Sequence, residues 1–167
     1  MPAAAAPSPS PAALPALDLR LLTTLLTAGA FATFAFDLFG QALSPLFGFA
    51  KLAPSPLAAA SMKVLFGWSG PGVGSLVHYM TGLLAYPVGW LFIARPLAGR
   101  LTPRLPWFGV AAVYGVGLWV FALYVMAHLV AGNPPFLGFA GIAWVALWGH
   151  ILFALVAAWV VEIRERA

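Results

Sequence analysis

The sequence predicts an all-α integral membrane protein, a bundle of four spanning helices. Three observations carry that reading. Apolar residues make up 63% of the 167 and charged residues only 7%, against roughly a quarter charged in soluble domains. The apolar residues fall into four stretches, each near the roughly 20 residues that a bilayer crossing requires. The cations sit at the ends of those stretches rather than among aromatics in a patch, so the net charge of +4 reports membrane topology and excludes a nucleic-acid surface. There is no cysteine, which removes disulfides, thiolate metal sites and cysteine nucleophiles.

Residues 1–17, MPAAAAPSPSPAALPAL, are low-complexity Ala, Pro and Ser without a basic start, and predict a disordered or polyproline tail rather than a targeting peptide. Residues 18–167 form a single membrane domain. Asp18 is placed to cap the first span, about 19–43, and Pro45 follows its end. The connection over 44–72 is rich in Pro and Gly, but Ser55-Pro56 reads as a cap and first turn and Gly67 as a stop. SPLAAASMKVLF therefore predicts a short interfacial helix with Lys63 reaching water. The second span covers about 73–94 and leads into a short basic loop, RPLAGRLTPRLP. The third covers about 107–131, GNPP is a tight break, and the fourth covers about 139–163. Trp68, Trp90, Trp107 and Trp159 fall near span ends, where interface anchors belong.

Arg95, Arg100 and Arg104 share one loop, Arg164 and Arg166 the tail, and Arg20 the start. Placing these inside leaves only Lys51 and Lys63 outside, so the positive-inside rule predicts both termini in the cytoplasm. PLFGFA at 45–50 returns as PFLGFA at 135–140, each beyond the outer end of a span. This suggests two tandem helical hairpins in one orientation.

Ionisable residues inside a membrane are costly and face the bundle or a wet cavity. Depth follows from counting along each helix. Asp37 lies seventeen residues past Arg20 and His78 seventeen before Arg95, so both are roughly 25 Å from the inner anchors at 1.5 Å per residue. His150 comes out at about 21 Å, in the same layer, and His128 at about 36 Å, on the outer rim. His78 shares its helical face with Gly74, Thr81, Gly82, Ala85 and Gly89. His150 shares its own with Ala143, Ala146, Ala154 and Ala157. Small residues mark close helix contacts, which turns both rings inward. Asp37, His78 and His150 then form a polar cluster in the outer half of the bundle. It either binds a proton, a metal ion or a polar group, or joins three helices by hydrogen bonds alone.

Other chemistry is weaker. His78-Tyr79-Met80 and Met126-Ala127-His128 pair the ligand types that suit Cu(I), but residues two apart on a helix point to nearly opposite faces. Haem needs two opposed axial histidines, which His78 and His150 match in depth without a visible porphyrin pocket. YGVGLW lacks the context of a phosphate loop, so Gly115 and Gly117 read as helix contacts. Pro87 lacks an amide donor and clashes with the Leu83 carbonyl, which predicts a kink and a candidate hinge in the second span.

The order HYMTG in the second span, YGVGLWVFALYVMAHLVAGNPPFLGF through the third and WGHILFALVAAWV in the fourth resembles the YagU-like small four-helix bacterial inner-membrane proteins of unknown function. The resemblance covers roughly residues 20–162 and rests on hydropathy order with His78 and His150. It implies a bacterial inner-membrane location and a four-helix fold, and supplies no reaction or ligand. The expectation is a non-enzymatic membrane protein, an accessory subunit or self-associating packing protein whose partners are lipid and other membrane chains. A small permease or proton-coupled carrier using Asp37, His78 and His150 is the alternative. No cofactor is expected, with a haem or metal carrier as the further alternative.

Overall fold

The computed structural model describes residues 17–166. Four of its helices are long and apolar enough to cross a membrane. They are α1 (Leu19–Leu46), α3 (Val73–Leu101), α4 (Trp107–Val130) and α5 (Gly141–Arg166), and between the first two lies the short α2 (Pro54–Phe66). The protein is an all-α four-helix membrane bundle. The Ala/Pro tail, apart from Leu17, lies outside the described residues.

The ends of the helices follow local chemistry. Asp18 accepts a hydrogen bond from the Leu21 amide at 2.8 Å, the expected cap of α1. Gly67 ends α2 at φ 70°, the left-handed conformation that glycine adopts without penalty. The second span runs past its expected end near residue 94, so the first half of the arginine loop is helical. Its prolines explain how. Pro45, Pro87 and Pro96 each follow a wide, π-helical turn, over Leu38–Leu43, Thr81–Ala85 and Trp90–Ala94. A proline ring clashes with the carbonyl four residues back; a wide turn carries that carbonyl away, and the helix resumes with proline in a first-turn position. Residues Phe121–Val130 of α4 are wound the same way without a proline.

Helix α5 packs along both α1 and α4, and α1 packs on Thr81–Gly89 of α3. Helices α3 and α4 meet from Tyr86 to Leu101, toward the arginine-rich end. Toward the opposite end they part, and α2 fills the gap by crossing the start of α3 and resting on α4. The hairpins α1–α3 and α4–α5 therefore each pack, but the counterpart of the α1–α5 interface is open over half its length. The two PLFGFA-like segments also differ in conformation. Ser44–Leu46 is right-handed helix, whereas Phe136, Leu137, Gly138 and Phe139 are all left-handed, at φ 48 to 67°.

Two core layers result. Near the arginine-rich end, Leu25, Ala28, Trp90, Leu91, Ala111 and Val161 pack together. Farther along, Phe36, Leu52, Leu118, Trp119, Leu123 and Phe153 do so. Trp90 corrects an expectation. It is 1% exposed rather than an interface anchor, because α3 continues eleven residues beyond it and turns its ring onto Tyr114, 5.9 Å away between centroids. Trp68 and Trp159 are half exposed, as anchors are. At the arginine-rich end, Arg20 donates to the Arg164 carbonyl (2.9 Å), Arg164 to Thr23 and Thr24, and Arg95 to Glu165 (2.6 Å). Helices α1, α3 and α5 are tied together there.

Candidate functional site: a cavity beneath a short helix

Close backbone approach builds the site. A Cβ at Gly29 would fall 2.6 Å from the Leu83 Cα, so only glycine lets α1 lie against this turn of α3. Gly82 faces Thr33 in the same way. At this separation the short Asp37 side chain spans the gap, and its Oδ1 lies 3.0 Å from His78 Nε2. The same oxygen accepts from Gln41 Nε2 at 2.7 Å. Gln41 escaped the sequence reading, although its place four residues after Asp37 on one helix face was the available signal.

His150 lies at a similar depth and is buried, but it makes no hydrogen bond to Asp37 or His78. Its Nδ1 lies 2.7 Å from the Ala146 carbonyl oxygen. The Phe36 ring stands between the two imidazoles, 6.0 Å from His78 and 5.1 Å from His150. The three residues thus share a layer without forming one cluster. Among the described residues no group of three His, Asp or Glu is placed to hold a metal ion. His128 is apart from them: its Nδ1 lies 2.7 Å from the Asn133 carbonyl oxygen, closing the end of α4. Pro87 is fully enclosed, and the adjacent Tyr86 carbonyl accepts from the Tyr114 hydroxyl at 2.7 Å. Gly115 packs against the α5 backbone at His150 and Ile151 as expected, whereas Gly117 faces open space.

These contacts enclose a cavity of about 430 Å³. Its walls include Phe36 of α1, His78 and Tyr86 of α3, Phe121 of α4 and His150 of α5, with α2 above. The volume falls in the range of roughly 300–1,000 Å³ typical of small-molecule sites. It lies where α3 and α4 diverge, beneath α2. On the far side of the Asp37–His78 pair is a second, shallower groove that includes Asp37, Tyr79 and Leu83. Thr33 borders both spaces, and its hydroxyl is buried without a hydrogen-bond partner.

No protein-family model, curated protein or solved structure matches the chain. Chemically, the cavity offers imidazole and hydroxyl groups among aromatic rings. No Asp, Glu, Lys or Arg lines it. The Asp37 carboxylate stands behind His78, where it orients the ring instead of meeting a ligand. Such a site suits a neutral molecule that carries hydrogen-bonding groups on an apolar frame.

Proposed function

We propose that the protein is a small-molecule carrier of the bacterial inner membrane, with both termini cytoplasmic, that holds a neutral, largely apolar ligand in the cavity between α3 and α4. The observation that carries this reading is the cavity itself, walled by His78 and His150 and roofed by α2 where α3 and α4 part. A subunit that served packing alone has no use for a cavity of this size, which falls in the range of small-molecule sites.

The test is purification in mild detergent followed by organic extraction and mass spectrometry. A small molecule near equimolar with protein is expected, and Ala122→Phe, which projects a ring into the cavity, should release it. A wild-type preparation without ligand, indistinguishable in thermal stability from a folded Ala122→Phe variant, would rule the carrier out.

A second reading, an accessory or self-associating subunit, draws support from the outer face of α5. This is the most enclosed span, yet Trp144, Trp148 and Trp159 on it are half exposed or more. Native mass spectrometry of the same preparation separates the readings, since this one requires a partner chain or a second copy.

A further inference from the structure

No Asp, Glu, Lys or Arg lines the cavity, and several of its polar groups lack a protein partner. The Ala146 carbonyl can only accept, so His150 Nδ1 carries the proton and donates to it. That fixes the tautomer and leaves Nε2 as an acceptor. Among the described residues no hydrogen bond reaches this nitrogen or the Tyr86 hydroxyl, and both residues line the cavity. Among the described residues the Thr81 hydroxyl and His78 Nδ1, also on cavity residues, have no hydrogen bond either, whereas the Thr33 hydroxyl is sealed from the cavity against Gly82. By contrast, the Ser61 hydroxyl and the Asn133 amide, also at the cavity, already donate to backbone carbonyls.

A ligand therefore finds a fixed acceptor at His150 Nε2 and a hydroxyl at Tyr86, beside the Thr81 hydroxyl and His78 Nδ1, with no carboxylate, Lys or Arg to offset a charged head group. The surrounding rings are set edge to face, Phe36 on His150 at 5.1 Å and Tyr86 on Phe153 at 5.5 Å. Such walls favour a flat aromatic guest. The cavity is walled by helices that span the membrane, which places a lipid-soluble guest within reach of it.

We infer that the cavity takes the ring of a membrane-soluble phenol or quinol, its hydroxyl donating to His150 Nε2 and its ring held among Phe36, Tyr86 and Phe153. This rests on the reading of the cavity as a ligand site. It also fixes a redox preference. A hydroquinone donates to the His150 lone pair, whereas a quinone, which only accepts, sets an oxygen lone pair against it. The quinone must rely on the Tyr86 hydroxyl instead.

The test is titration of the full-length protein in nanodiscs with decylhydroquinone, its quinone and tail-less hydroquinone. Wild type should bind decylhydroquinone about tenfold more tightly than the quinone, the worth of one neutral hydrogen bond. His150→Phe should bring the two to parity. Tyr86→Phe acts with the opposite sign, widening the preference by weakening the quinone, so it keeps the test decisive where His150→Phe does not fold.

Equal affinity of wild type for both redox forms overturns the assignment to His150 while leaving the cavity as a ligand site. Tail-less hydroquinone binding as tightly as decylhydroquinone overturns the membrane source in favour of a free phenol. Absence of binding, with the extracted ligand bearing no ring hydroxyl, overturns the inference alone. Absence of binding with no extractable ligand at all overturns the carrier as well.

Discussion

At the scale of single residues, the Asp37–His78 pair joins α1 to α3 through one short contact. Both side chains are largely enclosed, at 19% and 14% exposure, and the carboxylate draws two donors onto one oxygen, from His78 and Gln41. Breaking an enclosed pair from one side leaves a charge that has lost its partner. His78→Phe should therefore destabilise by about 3 kcal/mol, read as thermal unfolding in mild detergent. Asp37→Asn keeps a hydrogen-bonding group opposite His78 and removes the charge, so its loss should stay within about 1 kcal/mol. An equal loss in both variants would show that the carboxylate's charge is already satisfied by other groups. The pair was legible in the sequence because depth can be counted from the arginines. Phe36 was not, since one aromatic among many beside Asp37 gives no sign that it will stand between two histidines. That depends on where α5 places His150.

At the scale of elements, glycines set how closely the helices approach. Gly29 meets the Leu83 backbone, and Gly115 meets the backbone at His150 and Ile151. A methyl group at either position must push two backbones apart, and overpacking of this kind costs roughly 1–3 kcal/mol. Gly117, two residues from Gly115 on the same helix, faces open space. Gly117→Ala should therefore stabilise, by about 0.5–1 kcal/mol from helix propensity alone. Unfolding midpoints of Gly29→Ala, Gly115→Ala and Gly117→Ala check this, with the first two falling and the third rising. Spacing alone assigned Gly115 and Gly117 the same role, because a sequence shows which residues are small and not which side of α4 meets α5. The prolines were legible as interruptions. The wide turns that absorb them depend on hydrogen-bond register, which no residue type announces. Helix α2 shows the same division. Its Ser-Pro start and Gly67 stop are local and were readable, while its place over the cavity depends on the fit of Gly74 against Ser55 and Ala59, a contact between separate helices.

At the scale of the whole molecule, two asymmetries follow from the connections. The long 44–72 segment inserts α2 between α3 and α4, and the short segment after α4 inserts nothing between α1 and α5. The cavity therefore forms on one side of the bundle and toward the end away from the arginines. Arg20, Arg95 and Arg164 are joined in hydrogen bonds and ion pairs at the other end. If positive charge sets orientation here as it does generally, the cavity lies in the outer leaflet half and the arginine cluster faces the cytoplasm. The absence of cysteine makes this directly measurable, because one introduced thiol is the only one present. Gly99 at the arginine-rich end has no neighbouring atoms at its Cβ position, and Gly70 before α3 has only ordinary contact, so Gly99→Cys and Gly70→Cys should both leave the fold intact. In intact cells a membrane-impermeant maleimide should label Gly70→Cys and spare Gly99→Cys until the membrane is opened. The reverse pattern would turn the molecule over, placing the cavity on the cytoplasmic side and requiring its ligand to come from the inner leaflet.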